Sequence, residues 1–101
     1  MTRDLYRYTF VGVVPREDIQ ASLLLAIWAT ESLHGEAQVR LDAAHYFDPD
    51  RRACVIDAAT PVGRDINRLF VGFLRREFGD DCFRVERISH PTHPSPQEIR
   101  T

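Results

Sequence analysis

The alternation of apolar and polar residues along the chain predicts four β-strands. The first strand is predicted over residues 4–13, where Tyr and Phe side chains occupy alternate positions. Two further stretches, about 38–47 and 52–59, flank a short segment with Asp and Pro and therefore predict a hairpin. Residues 82–88 predict the last strand.

Two helices are predicted between these strands, and each has recognisable start and stop signals. Pro15 suits the first turn of the first helix, and Gly35 follows its last residue. Thr60 is a natural N-cap for the second helix, Pro61 suits its first position, and Gly79 ends it. In both helices apolar residues recur every three or four positions, which is typical of a helix that packs on a sheet.

The predicted order β-α-β-β-α-β is typical of a ferredoxin-like split βαβ sandwich, which is an α+β fold. We expect a four-stranded antiparallel sheet with the first and third strands in the middle and two helices on one face. This domain is expected over residues 1–89. Residues 90–101 are rich in proline and poor in apolar side chains, so a disordered tail is expected there.

Length and charge restrict the possible classes of function. The chain has 101 residues, which favours one domain, and a formal net charge of -2. A net charge this small gives no broad attraction to nucleic acid or anionic lipid. All 13 basic residues are arginine. Because the sequence contains no lysine, Schiff-base and P-loop lysine chemistry are excluded.

The first residues of the chain are charged and lack the apolar run of a signal peptide. The longest apolar stretch, residues 21–29, is too short to span a membrane. We therefore expect a cytoplasmic protein with no membrane partner. Cys54 and Cys82 do not have the spacing of a metal site, and we expect no cofactor.

The first helix has a wider apolar surface than packing on one sheet requires. Ile19, Leu23 and other residues at helical spacing form the stripe expected to face the core. Leu24, Leu25 and Trp28 lie beside that stripe and widen it. This width predicts a second contact surface, used by a homo-oligomer or by another protein.

The predicted hairpin brings two aspartates, Asp42 and Asp57, close to each other. If residues 48–51 form the turn, Phe47 lies opposite Arg52, and the same register places Asp42 opposite Asp57 on the open face of the sheet. Carboxylates that face each other repel, and the pKa of at least one is raised unless a cation lies between them.

Two interpretations of this acidic pair follow. Arginines expected on the same face, among them Arg7, Arg40 and Arg84, could neutralise both aspartates in a lattice of cross-strand ion pairs. Alternatively, Asp42 and Asp57 could bind a divalent metal or act as an acid-base pair. The sequence favours the lattice, so no metal site is assigned.

The second helix carries a row of arginines and a start that could hold an anion. Arg64, Arg68 and Arg75 recur at helical spacing. Thr60 and Gly63 lie in the first turn, where free backbone N–H groups can bind phosphate. These five residues are candidates for anion or RNA binding, although a solvated polar helix face explains the same pattern and is favoured.

Two resemblances bear on RNA binding. The segment "LHGEAQVRLDAAHYFDPDRRACVIDA" resembles the helix end and hairpin of a protein subunit of ribonuclease P. Tyr6, Tyr8 and Phe10 resemble the stacking aromatics of RNA-recognition motifs, which share the expected topology. The acidic balance and the missing lysines depart from the first family, and "RACVIDA" lacks the second aromatic motif of the other. Neither resemblance assigns a family.

The sequence therefore favours a non-enzymatic domain that acts by protein association or self-assembly. One alternative is an RNA- or phosphate-binding module that uses the arginines of the second helix. The other is a small metal-dependent enzyme that uses Asp42 and Asp57.

Overall fold

The computed structural model describes the backbone of residues 2–91 and the side-chain environments of residues 4–88. Within this range the chain forms an α+β fold with a four-stranded antiparallel sheet and three helices. In chain order the elements are β1 (Thr2–Phe10), α1 (Arg16–His34), α2 (Glu36–Asp42), β2 (His45–Asp48), β3 (Ala53–Asp57), α3 (Pro61–Phe78) and β4 (Phe83–Pro91).

The strand order is β2-β3-β1-β4, and every neighbouring pair is antiparallel. The prediction that the first and third strands lie in the middle is therefore confirmed. Strand β1 pairs with β3 from Leu5 opposite Asp57 to Thr9 opposite Ala53. Strands β2 and β4 are the two edges of the sheet. Each of these two strands therefore has one side without a partner strand in the described chain.

The core lies between one face of the sheet and the helices. Tyr8 and Phe10 of β1 and Cys54 and Ile56 of β3 are buried, as the alternation predicted. The helices contribute the remaining large buried side chains, which include Ile19, Leu23, Ile66, Phe70 and Leu74. The aromatic side chains of β1 therefore pack inside the domain, and the comparison with RNA-stacking aromatics on an open sheet is wrong.

The predicted ends of both long helices and the predicted start of α3 are confirmed, whereas Pro15 is the extended residue that precedes α1 rather than a residue of its first turn. Helix α1 ends at His34, and Gly35 follows with a φ of 88°, a backbone conformation that glycine adopts without strain. At the start of α3 the Thr60 hydroxyl accepts a hydrogen bond from the Gly63 N–H at 3.0 Å. Pro61 occupies the first helical turn, as its fixed φ favours.

The prediction of a second strand over residues 38–47 is wrong for most of its length. Residues Glu36–Asp42 form the helix α2, and β2 contains only His45–Asp48. The segment consists mostly of good helix formers, and a glycine before it allows the chain to turn. Two side-chain pairs at (i, i+4) spacing, Glu36 with Arg40 and Gln38 with Asp42, further stabilise this helix.

The hairpin register also differs from the prediction. Phe47 lies opposite Cys54 rather than Arg52, so the whole pairing is displaced by two residues. The loop consists of residues 49–52, and Arg52 adopts a positive φ of 52°. Asp48 bonds back to the turn: its Oδ1 accepts from the N–H groups of Asp50 and Arg51 at 3.1 and 3.3 Å. A shift of two residues keeps every side chain on its expected face.

The last strand is longer than predicted. A 3-10 turn, Asp80–Cys82, precedes it, so Cys82 lies in this turn rather than in the strand. Strand β4 continues to Pro91, three residues beyond the predicted end at Ile88. The rest of the predicted tail, residues 92–101, lies outside the described residues.

Candidate functional site

The central turns of α1 carry no charged side chain on any side, because residues 19–30 contain none. The inner side of this segment is buried in the core, as Ile19 and Ala26 show. Its outer side exposes 44% of Leu24, 50% of Leu25 and 56% of Trp28. Among the exposed residues of this segment only Gln20 is polar, and an apolar helix surface is normally buried. The described chain covers only one side of α1.

We call the outer surface formed by Ala21, Leu24, Leu25 and Trp28 the α1 patch. These residues have the spacing i, i+3, i+4 and i+7, so they form one continuous stripe. The side chains predicted as an association surface are therefore exposed and adjacent to each other. Their association with a partner stays a prediction.

The α1 patch continues into a groove between α1 and β2. The groove has a volume of about 610 Å³ and a mostly apolar wall. Leu24 and Ile27 line it from the helix, and His45, Tyr46 and Phe47 line it from the strand. We call this feature the α1–β2 groove. Sequence analysis missed the contribution of β2, although the uncharged residues "HYF" before the turn were a signal of it.

The strand side of this groove contains one titratable group with a shifted pKa. The imidazole of His45 is open to solvent on one side and lies against the groove on the other. This partial loss of water lowers the pKa of His45 below its ordinary value, because burial disfavours the charged form. Near neutral pH the groove therefore has a neutral His45. In the sheet His45 lies opposite Ile56.

The predicted acidic pair is not formed as a cross-strand pair. Asp42 is the last residue of α2, where its carboxylate accepts a hydrogen bond from the Gln38 amide at 2.6 Å. Asp57 is the last residue of β3, opposite Leu5, and its carboxylate accepts from the Ala59 N–H at 2.9 Å. The prediction that Asp42 lies opposite Asp57 is therefore wrong, because the segment before Ala43 is helical.

The described side chains also form no metal-binding cluster. Among the residues that the structure describes, no group of three or more His, Cys, Asp or Glu could hold a metal ion. On the open face Glu86 instead forms a cross-strand ion pair with Arg7 at 2.8 Å. The hydrogen bond and the charge of Arg7 lower the pKa of Glu86. Arg7 thus lies on the face where the sequence placed it.

The candidate anion-binding residues of α3 contact groups of their own chain. Arg68 lies 3.6 Å from the Asp65 carboxylate, and Arg75 lies 3.0 Å from that of Asp80. Arg64 approaches the carbonyl oxygen of Ala59 at 3.5 Å. These guanidinium groups are exposed, so their ion pairs contribute little to stability. An anion could therefore compete with the carboxylates for the guanidinium groups.

The first turn of α3 also has a structural explanation. The Thr60 hydroxyl caps the Gly63 N–H and donates to the carbonyl oxygen of Asp42 at 3.3 Å. Gly63 is buried, and a Cβ at this position would collide with the carbonyl oxygen of Asp57. Thr60 and Gly63 therefore join α3 to the ends of α2 and β3. Binding of an anion by these residues stays a prediction.

Comparison with protein families and with curated sequences assigns no relative. No protein-family model matches the chain, and a search of curated proteins finds no significantly similar sequence. Across residues 2–91, no helix has both the length and the apolar character that crossing a membrane requires.

Proposed function

We propose that this chain is a ferredoxin-like sandwich with one added helix, α2, and that it functions by associating with a second copy of itself. The observation that carries the proposal is the α1 patch. Leu24, Leu25 and Trp28 are about half-exposed in the middle of a helix that has no charged residue there. Burying such side chains removes apolar surface from water, which stabilises an interface by roughly 25 cal/mol per Å².

The strand order supports the fold in this proposal. Central strands β1 and β3 are antiparallel neighbours, and α1 and α3 connect β1 to β2 and β3 to β4. This is the order expected for a ferredoxin-like sandwich. The helix α2 is an addition between α1 and the short strand β2.

A second copy fits the α1 patch better than a charged partner does. The patch has no charged side chain, so an oppositely charged partner would gain nothing from it. For the same reason two identical patches can meet without like-charge repulsion. Symmetric homodimers, in which the same surface serves both subunits, are the commonest oligomers.

The proposal is tested by the concentration dependence of Trp28 fluorescence. Trp28 is the only tryptophan of the chain, so its emission reports directly on the patch. We expect the emission maximum to shift to shorter wavelength as concentration rises, because association removes water from the indole ring. Sedimentation velocity over the same range should show conversion of monomer to dimer.

Leu25→Glu is the variant that should abolish both changes, because a carboxylate at this position cannot be buried without a large cost. Leu41→Glu is the matched control. Leu41 is a leucine 79% exposed on α2, outside the patch, and its substitution should leave association unchanged. A wild-type chain that stays monomeric with constant emission up to hundreds of micromolar would refute the proposal.

The two other functions have less support in the geometry. Arg68 and Arg75 already contact carboxylates, and Asp42 lies on a helix rather than opposite Asp57. No observation favours either function over self-association.

A further inference from the structure

The two edge strands of the sheet differ in how they are protected from pairing. Natural proteins protect an edge strand with charged residues, prolines or bulges. Strand β4 carries Arg84, Glu86 and Arg87 along its length and ends in Pro91. The first three residues of β2, His45-Tyr46-Phe47, include no charged residue and no proline, and the one charged residue of the strand, Asp48, is its last. Only β2 therefore has an unprotected edge within the described sheet.

The hydrogen bonds of the hairpin determine which backbone groups lie on that edge. The Asp57 N–H donates to the carbonyl oxygen of Ala44 at 2.9 Å. In an antiparallel pair, residues alternate between those that bond the neighbouring strand and those that do not. Tyr46 therefore bonds β3, while the N–H and C=O groups of His45 and Phe47 point outward.

We propose that the second copy pairs with this chain along β2, antiparallel, with the two-fold axis passing beside Tyr46. This inference rests on the proposed self-association and specifies its geometry. His45 of each copy then lies opposite Phe47 of the other, and each such pair exchanges two backbone hydrogen bonds. The two sheets join into one continuous sheet.

Only this register gives hydrogen-bond partners to the outward N–H and C=O groups of both His45 and Phe47. Centring the axis beside Phe47 would place His45 opposite Pro49, which has no N–H to donate. Centring it beside His45 would place Phe47 opposite Ala43, which precedes the strand. The register centred on Tyr46 uses all four outward groups of each copy, the N–H and C=O of His45 and Phe47.

This geometry also brings the second copy to part of the apolar surface described above. Tyr46 is 63% exposed on the open face, and it would lie opposite Tyr46 of the second copy, where the two rings can pack against each other. On the other face the α1–β2 groove lies directly beside the junction, because His45 and Phe47 form its wall. The second copy would bring its own α1 and β2 to this groove and to Leu24.

A disulfide at the two-fold axis tests the register. Residues opposite each other without mutual hydrogen bonds have Cα atoms about 4.5 Å apart, within the range that a disulfide spans. In a Cys82→Ser background, Tyr46→Cys should form a covalent dimer quickly under mild oxidation. Arg51→Cys, an exposed position in the hairpin loop, is the matched control and should remain mostly monomeric.

Proline substitution tests the backbone bonds independently. His45→Pro removes one outward N–H but leaves the bonds of β2 to β3 intact, so it should weaken dimerisation by at least tenfold in Kd. His45→Ala keeps the N–H and should associate more strongly than the proline variant. Far-ultraviolet circular dichroism confirms that both variants fold.

The outcomes separate this inference from the proposed function. Slow cross-linking of Tyr46→Cys together with unchanged dimerisation of His45→Pro would overturn the strand pairing. If Leu25→Glu still abolished association in that case, self-association through the α1 patch would stand. If the wild type were monomeric, both would be refuted.

Discussion

Tyr8 connects the central strand of the sheet to α3 through one polar contact inside the core. Its ring is fully buried and meets Phe70 edge-on at a centroid distance of 4.9 Å. Its hydroxyl donates to Oδ1 of Asn67 at 2.6 Å. Burial raises the pKa of Tyr8 well above its ordinary value, so the phenol remains a donor at all physiological pH values.

We expect Tyr8→Phe to lower the free energy of unfolding by about 1 kcal/mol, because the Asn67 amide loses its partner in a partly buried place. Urea denaturation measures this loss. The Asn67→Ala variant and the double variant complete a thermodynamic cycle. If the two single losses simply add in the double variant, the hydrogen bond is not their source.

Single residues differ in how much the sequence reveals about them. The burial of Tyr8 and Cys54 was predictable, because alternation along a strand fixes which side chains face the core. Burial also raises the pKa of the Cys54 thiol to about 12, which makes it unreactive. By contrast, the bond of His34 to Asp65 at 2.7 Å joins α1 to α3 and was not predictable. Such a pair depends on how two helices dock, which local pattern does not determine.

At the scale of elements, α3 contains two glycines with opposite roles. Gly63 packs so closely on the end of β3 that a Cβ would collide with the carbonyl oxygen of Asp57. Gly72 has open space at the same point, with no atom within 4 Å of an added Cβ. Within the described chain, Gly63 is therefore the position in α3 that requires glycine.

Alanine substitution should therefore change stability in opposite directions at these two positions. We expect Gly72→Ala to raise the free energy of unfolding by about 0.5–1 kcal/mol, because alanine favours the helix and restricts the unfolded chain. Gly63→Ala should lower it by roughly 1–3 kcal/mol, because α3 must move away from β3. Thermal and urea denaturation of both variants measure this contrast. Equal effects of the two substitutions would contradict it.

The segment after Gly35 shows where element prediction fails. Residues 38–43 alternate apolar and polar side chains, which suits a strand, but they also suit a short helix with Val39 inward. Helix propensity decides between the two, since Val39 is the only β-branched residue of Glu36–Asp42. The hairpin register was then displaced because a four-residue loop can begin at Asp48 or at Pro49. The structure has the loop that begins at Pro49, in which Arg52 adopts a positive φ.

At the scale of the whole molecule, the order of elements was enough to predict which strands lie in the middle of the sheet. One half of the candidate site, the α1 patch, was also predictable, since Leu24, Leu25 and Trp28 exceed the apolar width that one sheet can cover. The other half, the β2 edge, was signalled only by the uncharged residues His45-Tyr46-Phe47, which do not determine its position. Its position depends on where α2 ends and on the hairpin register, and both are set by tertiary packing.

If the chain self-associates, its thermal stability must depend on its concentration, because only folded chains form the interface. Well above Kd, a tenfold rise in concentration adds about 1.4 kcal/mol per dimer, or roughly 0.7 kcal/mol per chain. For a domain of this size that corresponds to an increase in Tm of about 3–6 °C. Differential scanning calorimetry over two decades of concentration measures it. Leu41→Glu should show the wild-type dependence, and Leu25→Glu should show none. A Tm that is independent of concentration in all three proteins would mean that the exposed side of α1 stays in water, and another explanation for its missing charges would be needed.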